Sequence, residues 1–207
     1  NTFDSSDVVY LLMPDRFARV CSSNGIMPRM RDKSVCSKHP DSRHGGNIAG
    51  MNEHLDYLTE LGVTAIWHTP TLEKDMPQYS DHGYAITDYY QTDPRLGSNE
   101  EYRQFVHNAH VRGIKVIKDI VFNHCGSMNF LYADRPSSDW FSNDGEFLQT
   151  SFRTGAVSDV HGSLEDKRRT TEGWFVESMP VFNQNNRHAM AYLTQASIWW
   201  IEYANVD

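Results

Sequence analysis

The sequence predicts an α/β chain in which buried parallel strands alternate with helices, and the pattern favours a (β/α)8 barrel. Three observations lead there: continuous apolar runs, amphipathic segments between them, and loops that are long after each strand but short before it. Strands covered by helices on both faces read as unbroken apolar runs, whereas half-solvated strands alternate.

The run VVYLLM at residues 8–13 is the first strand, ended by Pro14. Residues 18–47 hold Gly, Pro, Ser and Arg without periodicity and predict a long loop, a length that usually serves function. Met51, Leu55, Leu58 and Leu61 then fall at helical spacing, with Gly62 as the stop. VTAIW at 63–67 is the second strand, and residues 71–97 read as loop. Ser98 followed by Glu101 is a capping box that opens a second helix carrying Phe105, Val106, Ala109 and His110, closed by Gly113. IKVIKDIVF at 114–122 is the third strand.

After that strand the rhythm breaks. About sixty residues, 125–186, precede the next clear helix, where a whole βα unit needs roughly thirty. The sequence therefore predicts barrel units over 1–124, an inserted subdomain over 125–186, and a third helix with the start of a fourth strand over 187–207. That helix puts Ala189, Leu193, Ala196 and Trp200 on one face, widened by Ile198, Trp199 and Ile201.

A doubly wound open sheet shares the alternation. Its glycine-rich phosphate turn is missing, however, and Pro14-Asp15-Arg16-Phe17 follows the first strand instead. In barrels the loops after the strands build the active site while the opposite loops only connect, which matches the observed asymmetry.

Composition narrows the function classes. The net charge of −8, from 19 basic and 27 acidic residues, disfavours a broad nucleic-acid surface. No apolar run of about 18 residues is present, so no membrane span is expected. Five Trp and ten Tyr suit a neutral sugar as well as they suit an ordinary core. Cys21, Cys36 and Cys125 have no metal-type spacing; a Cys21–Cys36 bridge is an alternative to free thiols, and the compartment, cytoplasmic or extracytoplasmic, stays open. His107 and His110, one helical turn apart, read as surface or packed histidines rather than metal ligands, and Lys167-Arg168-Arg169 as a solvated face.

The third strand ends in Asp119, Asn123 and His124. Strand alternation would put Asp119, Val121 and Asn123 on one face with His124 at the loop mouth. A carboxylate, a carboxamide and an imidazole at that end of a barrel strand are costly to bury unpaired, and they stand where barrel enzymes work.

The segment KVIKDIVFNH (115–124) resembles the first signature of the α-amylase superfamily, and other segments agree in order. They are PDRF (14–17), RHGGNIAG (43–50), GVTAIWHTP (62–70), HGYAITDYYQTDPRLGSNEEY (82–102) and MPVFNQNN (179–186). GWFVESMPVFNQ and NHCGSMNF are most similar to the neopullulanase, cyclomaltodextrinase and maltogenic-amylase branch. The resemblance implies a (β/α)8 barrel of a retaining glycoside hydrolase acting on α-glucans such as maltodextrin, starch, pullulan or cyclodextrin, through α-1,4 and also α-1,6 bonds. It implies that Tyr84 stacks on the sugar at the cleavage subsite, that His124 hydrogen-bonds that sugar, and that Asp119 orients the arginine preceding the nucleophile. Asn123 would support the site and His82 would line it.

The same resemblance places the three catalytic carboxylates after Asp207, so the 207 residues alone are expected to be inactive and poorly soluble. The alternative is a catalytically silent, amylase-like binding or accessory protein. No cofactor is required on this reading. Calcium, where relatives hold it near the first strand, would fall to Asn24 and Asn47, but the carboxylates a hard cation prefers are absent. Relatives that dimerise imply a homodimer for the intact protein.

Overall fold

The computed structural model describes residues 2–20, 26–79, 81–152 and 158–207. In chain order its elements begin with β1 (Val9–Leu12), α1 (Pro14–Phe17), α2 (Ile48–Glu53), α3 (Leu55–Glu60), β2 (Ala65–His68) and β3 (Leu72–Glu73). They continue with β4 (Asp88–Thr92), α4 (Asn99–Val111), β5 (Lys115–Lys118), α5 (Phe130–Ala133), α6 (Leu164–Glu172) and α7 (Arg187–Ala204).

The strands β1, β2 and β5 form one parallel sheet in that order, with Val9 beside Ala65 and Ala65 beside Lys115. Helices lie between consecutive strands, the opening pattern of a (β/α)8 barrel. Strand alternation sends Leu12, Ile66 and Val116 into a core with Met51, Leu55, Leu58, Phe105 and Val106, all buried. The opposite face presents Val9, Leu11 and Trp67 to solvent.

The helix expected over 51–61 breaks at His54. Its imidazole Nδ1 takes the Gly50 carbonyl at 2.9 Å, the acceptor that its own amide would use in a continuous helix. The amide turns to Met51 O instead, at 3.2 Å, and the turn tightens. The capping box at Ser98 and Glu101 is present with both reciprocal bonds.

The third strand is shorter than its apolar run. It stops at Lys118 because β2 ends at His68 and Pro70 has no amide to extend the ladder. Asp119, Val121 and Asn123 therefore do not share a strand face; they lie on the irregular segment beyond it. The stretch 71–97, expected as loop, contains β3 and β4, paired antiparallel with a register shift. A two-residue strand is too short to show alternation in sequence.

On α7 the expected face is buried at Ala189, Leu193, Ala196 and Trp200. Of the three residues expected to widen it, only Trp199 does, stacked on Tyr203 at 4.6 Å, while Ile198 and Ile201 are exposed. Residues 205–207 do not form a strand: Asn205 adopts the left-handed conformation that ends the helix. Asp207 still lies beside β5, donating its N–H to Val116 O at 3.1 Å and accepting the Val116 N–H at Oδ2, 2.9 Å.

The 125–186 segment leaves and returns through an antiparallel ladder. Phe182 N–H donates to Asn123 O (3.0 Å), Cys125 N–H to Pro180 O (3.1 Å) and Ser127 N–H to Ser178 O (2.9 Å). Inside it Phe141 stacks on Phe182 at 5.0 Å, and Tyr132 packs edge-on against both Phe141 and Trp174.

Candidate active site

Side chains from β2 and from the loop after it converge on the carboxylate of Asp119, just past the end of β5. Trp67, on the exposed face of β2, donates its indole N–H to Asp119 Oδ2 at 3.2 Å. Tyr84 donates its hydroxyl to the same oxygen at 3.0 Å. Among the described residues Asp119 Oδ1 takes no hydrogen bond, so the carboxylate keeps acceptor capacity for a further donor. Burial raises the Tyr84 phenol above its ordinary range, reinforced by the bond to Asp119, so the hydroxyl stays protonated as the donor.

The loop that presents Tyr84 depends on Gly83. Its φ is +91°, and a Cβ there would lie 2.4 Å from Pro70 O, so both the backbone conformation and the close approach to the β2 exit require glycine. On one side of it, the His82 ring stacks on Tyr84, centroids 5.9 Å apart, and its Nδ1 accepts the Tyr84 N–H at 2.9 Å. His82 thus packs beside Tyr84 and holds its backbone in place. Burial lowers the His82 imidazole below its usual range, and Lys74 adds to that while Asp81 opposes it.

His124 is half-buried at the foot of the insertion ladder, paired across it with Val181. Burial lowers its imidazole, partly offset by the Tyr84 backbone and deepened by His82. Its Nε2 has no hydrogen-bond partner among the described residues. The Asn123 amide nitrogen lies 3.2 Å from His124 Nδ1. Tyr84, Asp119, His124, His82 and Asn123, named from sequence, therefore come together around one place.

Sequence reasoning missed Trp67 and Arg16. Trp67 reads as core from its apolar run; only the register of the finished sheet puts it on the Asp119 side. Arg16 donates to Asp81 Oδ2 (2.6 Å), Pro40 O (2.8 Å) and Ser42 O (3.1 Å), tying the loop after β1 to the turn that carries His82. The only sequence signal for it is PDRF itself.

Residues 11–207 match the α-amylase catalytic domain. The chain belongs to that family. It is 31% identical over 206 residues to neopullulanase 2 of Thermoactinomyces vulgaris, covering 94% of this chain and 32% of that protein. It is 30% identical over 203 residues to a cyclomaltodextrinase of Geobacillus thermopakistaniensis, covering 97% and 32%. The fold superposes on the α-amylase of Geobacillus thermoleovorans complexed with acarbose, with TM-score 0.74 and 32% identity over 97% of this chain and 38% of that one. The chain spans about a third of the length of the curated relatives it matches.

Within this α-amylase-family chain the calcium expectation does not fit Asn47. Its Oδ1 accepts from Gly50 N–H (2.7 Å) and Val20 N–H (3.3 Å), and its Nδ2 donates to Val20 O (2.8 Å), so both ends of the amide serve the backbone as a helix cap and loop tie. Asn24 lies outside the described residues, as does Cys21. Among the described residues no three His, Cys, Asp or Glu side chains are grouped to hold a metal. Cys36 and Cys125 are free thiols. His110 bonds Asp207 Oδ2 at 2.7 Å, and Arg168 pairs with Glu165 and Glu172 on an exposed face. Among the described residues no helix is long and apolar enough to cross a membrane.

Proposed function

We propose that the intact protein is a retaining glycoside hydrolase of α-glucans of the maltodextrin, starch, pullulan or cyclodextrin type. The observation that carries the reading is the Tyr84–Asp119–Trp67 arrangement, in which one carboxylate is fixed by two donors and left open on its other oxygen.

Retaining hydrolysis needs a carboxylate nucleophile and a protonated carboxyl about 5 Å apart, flanking an oxocarbenium-like transition state. On this reading those groups belong to sequence beyond residue 207. The present residues hold the sugar and the machinery in place. Asp119, through its open Oδ1, orients the arginine that precedes the nucleophile. Tyr84 offers its ring face to the sugar at the cleavage subsite, with its hydroxyl anchored on Asp119 and its backbone anchored on His82. His124, neutral near pH 7 because burial lowers its pKa, hydrogen-bonds a sugar hydroxyl, a bond that tightens as charge develops at the ring. The names of the similar proteins, neopullulanase and cyclomaltodextrinase, support the substrate class.

The test is to incubate the full-length protein with maltoheptaose, β-cyclodextrin and pullulan and to follow the anomeric protons by NMR. Release of α-anomeric products is expected. Release of β-anomers would overturn the retaining mechanism, and binding of glucan without cleavage would favour the silent, accessory reading.

A further inference from the structure

The loop after β1 is joined to the turn that carries His82 through one side chain. Arg16 engages every nitrogen of its guanidinium: Nε donates to Asp15 Oδ2 at 3.1 Å, Nη1 to His44 Nε2 at 2.9 Å and Nη2 to Asp81 Oδ2 at 2.6 Å. The same Nη2 reaches the carbonyls of Pro40 and Ser42. Asp15 holds Arg16 from behind, because its buried carboxylate also accepts the N–H groups of His44 (2.7 Å) and Gly45 (3.1 Å). A planar fork of N–H donors fits that spread of acceptors, and a single ammonium does not.

Asp81 passes this anchorage on to the site. Its side chain is 11% exposed and it directly precedes His82, whose Nδ1 accepts the Tyr84 N–H and whose ring lies over Tyr84 at an interplanar angle of 18°. Tyr84 in turn reaches Asp119 through its hydroxyl. The relay Arg16–Asp81–His82–Tyr84–Asp119 therefore runs from the end of β1 to the end of β5. It depends on a neutral imidazole, since an imidazolium carries a proton on both nitrogens and its Nδ1 accepts nothing. The groups that face His82 are Asp81 on its own turn, Lys74 just after β3, His124 beyond β5 and the Tyr84 ring. Of these, Asp81 favours the protonated ring and Lys74 opposes it.

A carboxylate beside a histidine that must stay neutral is a liability unless its charge is met, and Arg16 meets it. We infer that Arg16 is a positioning residue for Tyr84. Paired with Asp81, it fixes the turn that carries His82 and offsets the carboxylate, so that His82 Nδ1 remains the acceptor that holds Tyr84 against Asp119. The bearing of this pair on catalysis rests on the glucan reading above; its bearing on His82 does not.

The experiment compares wild type, R16M, R16K and D81N in the full-length protein. The His82 ring is titrated by NMR in protein isotope-labelled at its histidines, with H82Q assigning the signal, and kcat and KM are measured on maltohexaose. R16M and D81N both break the tie, yet they are expected to move the His82 titration in opposite directions. It should rise in R16M, where Asp81 is left uncompensated, and fall in D81N, where the carboxylate is gone. R16K keeps the charge and should titrate like wild type, while kcat falls about tenfold in R16M and in R16K as Tyr84 loses its exact placement. Shifts in the same direction, or none, overturn the inference, because a merely structural tie would move both variants alike. An unchanged kcat in R16M overturns it too. Should R16M fail to fold, the nearly isosteric D81N carries the test, and an unmoved His82 titration there overturns the inference. Wild-type protein that neither binds nor cleaves maltohexaose overturns the glucan reading, while opposite shifts of His82 still establish its coupling to Arg16 and Asp81. An active wild type with an unmoved His82 in the variants overturns the positioning role alone.

Discussion

Two polar clusters are built from the loops that follow strands, and they differ in how fully their groups are used. Around Asp93 the structure is closed. Arg95 donates to both carboxylate oxygens (2.9 and 2.6 Å), to Lys74 O at 2.9 Å and to Asp32 O at 3.3 Å, and the Asp93–Arg95 pair is essentially without solvent contact. Burial pushes the Asp93 carboxyl up, but the bonds from Arg95 and the charge of Lys74 outweigh it and hold it below its ordinary range. Around Asp119 the structure is open. Two donors share one oxygen, the second oxygen takes none, and His124 Nε2 is buried with no hydrogen-bond partner among the described residues. A saturated buried pair positions loops, whereas a half-buried set with unused acceptor capacity is what the proposed site needs.

The contrast is broken most forcefully at Arg95. R95L leaves Asp93 buried without its partner, and a loss of about 3–5 kcal/mol is expected in urea denaturation. A loss below about 1 kcal/mol would mean that Asp93 is not a structural anchor. Next comes G83A, which strains the backbone and drives a Cβ toward Pro70 O, displacing Tyr84 from Asp119. Hydrolysis by the full-length protein should fall about a hundredfold, the scale of an ångström-sized misplacement. Near-wild-type turnover would detach Tyr84 from the site.

A smaller effect comes from pH. His68 is fully buried, its Nδ1 donating to Thr69 O and its Nε2 accepting from the Tyr102 hydroxyl. Burial first, and the charge of Lys118 second, lower its pKa to about 3. The unfolded chain, titrating near 6.5, binds the proton that the folded chain refuses, so stability is full above about pH 6.5 and declines as pH falls toward 3. Between pH 6.5 and 5 the loss is about 2 kcal/mol. H68Q should flatten that slope in melts taken across the range; an unaltered slope would assign it to other groups. The smallest effect is at Arg168, whose pairs with Glu165 and Glu172 are exposed. R168A should leave the melting temperature and the salt dependence as in wild type.

Much of the frame was legible because it rests on local rules. The capping box at Ser98, the buried face of α7 and the three apolar strands each follow from neighbours in sequence. The gathering of Tyr84, Asp119 and His124 was legible through the resemblance of their segments to the α-amylase superfamily, not through spacing. What stayed hidden depends on distant partners. Trp67 becomes a site residue only through sheet register, and the Asp93–Arg95 pair recruits Lys74 across a β3–β4 pairing that has too few residues to announce itself. Ile198 and Ile201 look like core by composition, yet both are about half exposed on α7.

The ladder joining 123–127 to 178–182 has a consequence for how such a chain can diversify. Because the excursion begins and ends within one hydrogen-bonded seam, its two ends are spliced together independently of what lies between them. Lengthening or exchanging the intervening stretch costs only a slowly growing loop entropy and leaves the footing of His124 where it was. The seam is a socket: different intervening stretches can be plugged in over an unchanged footing.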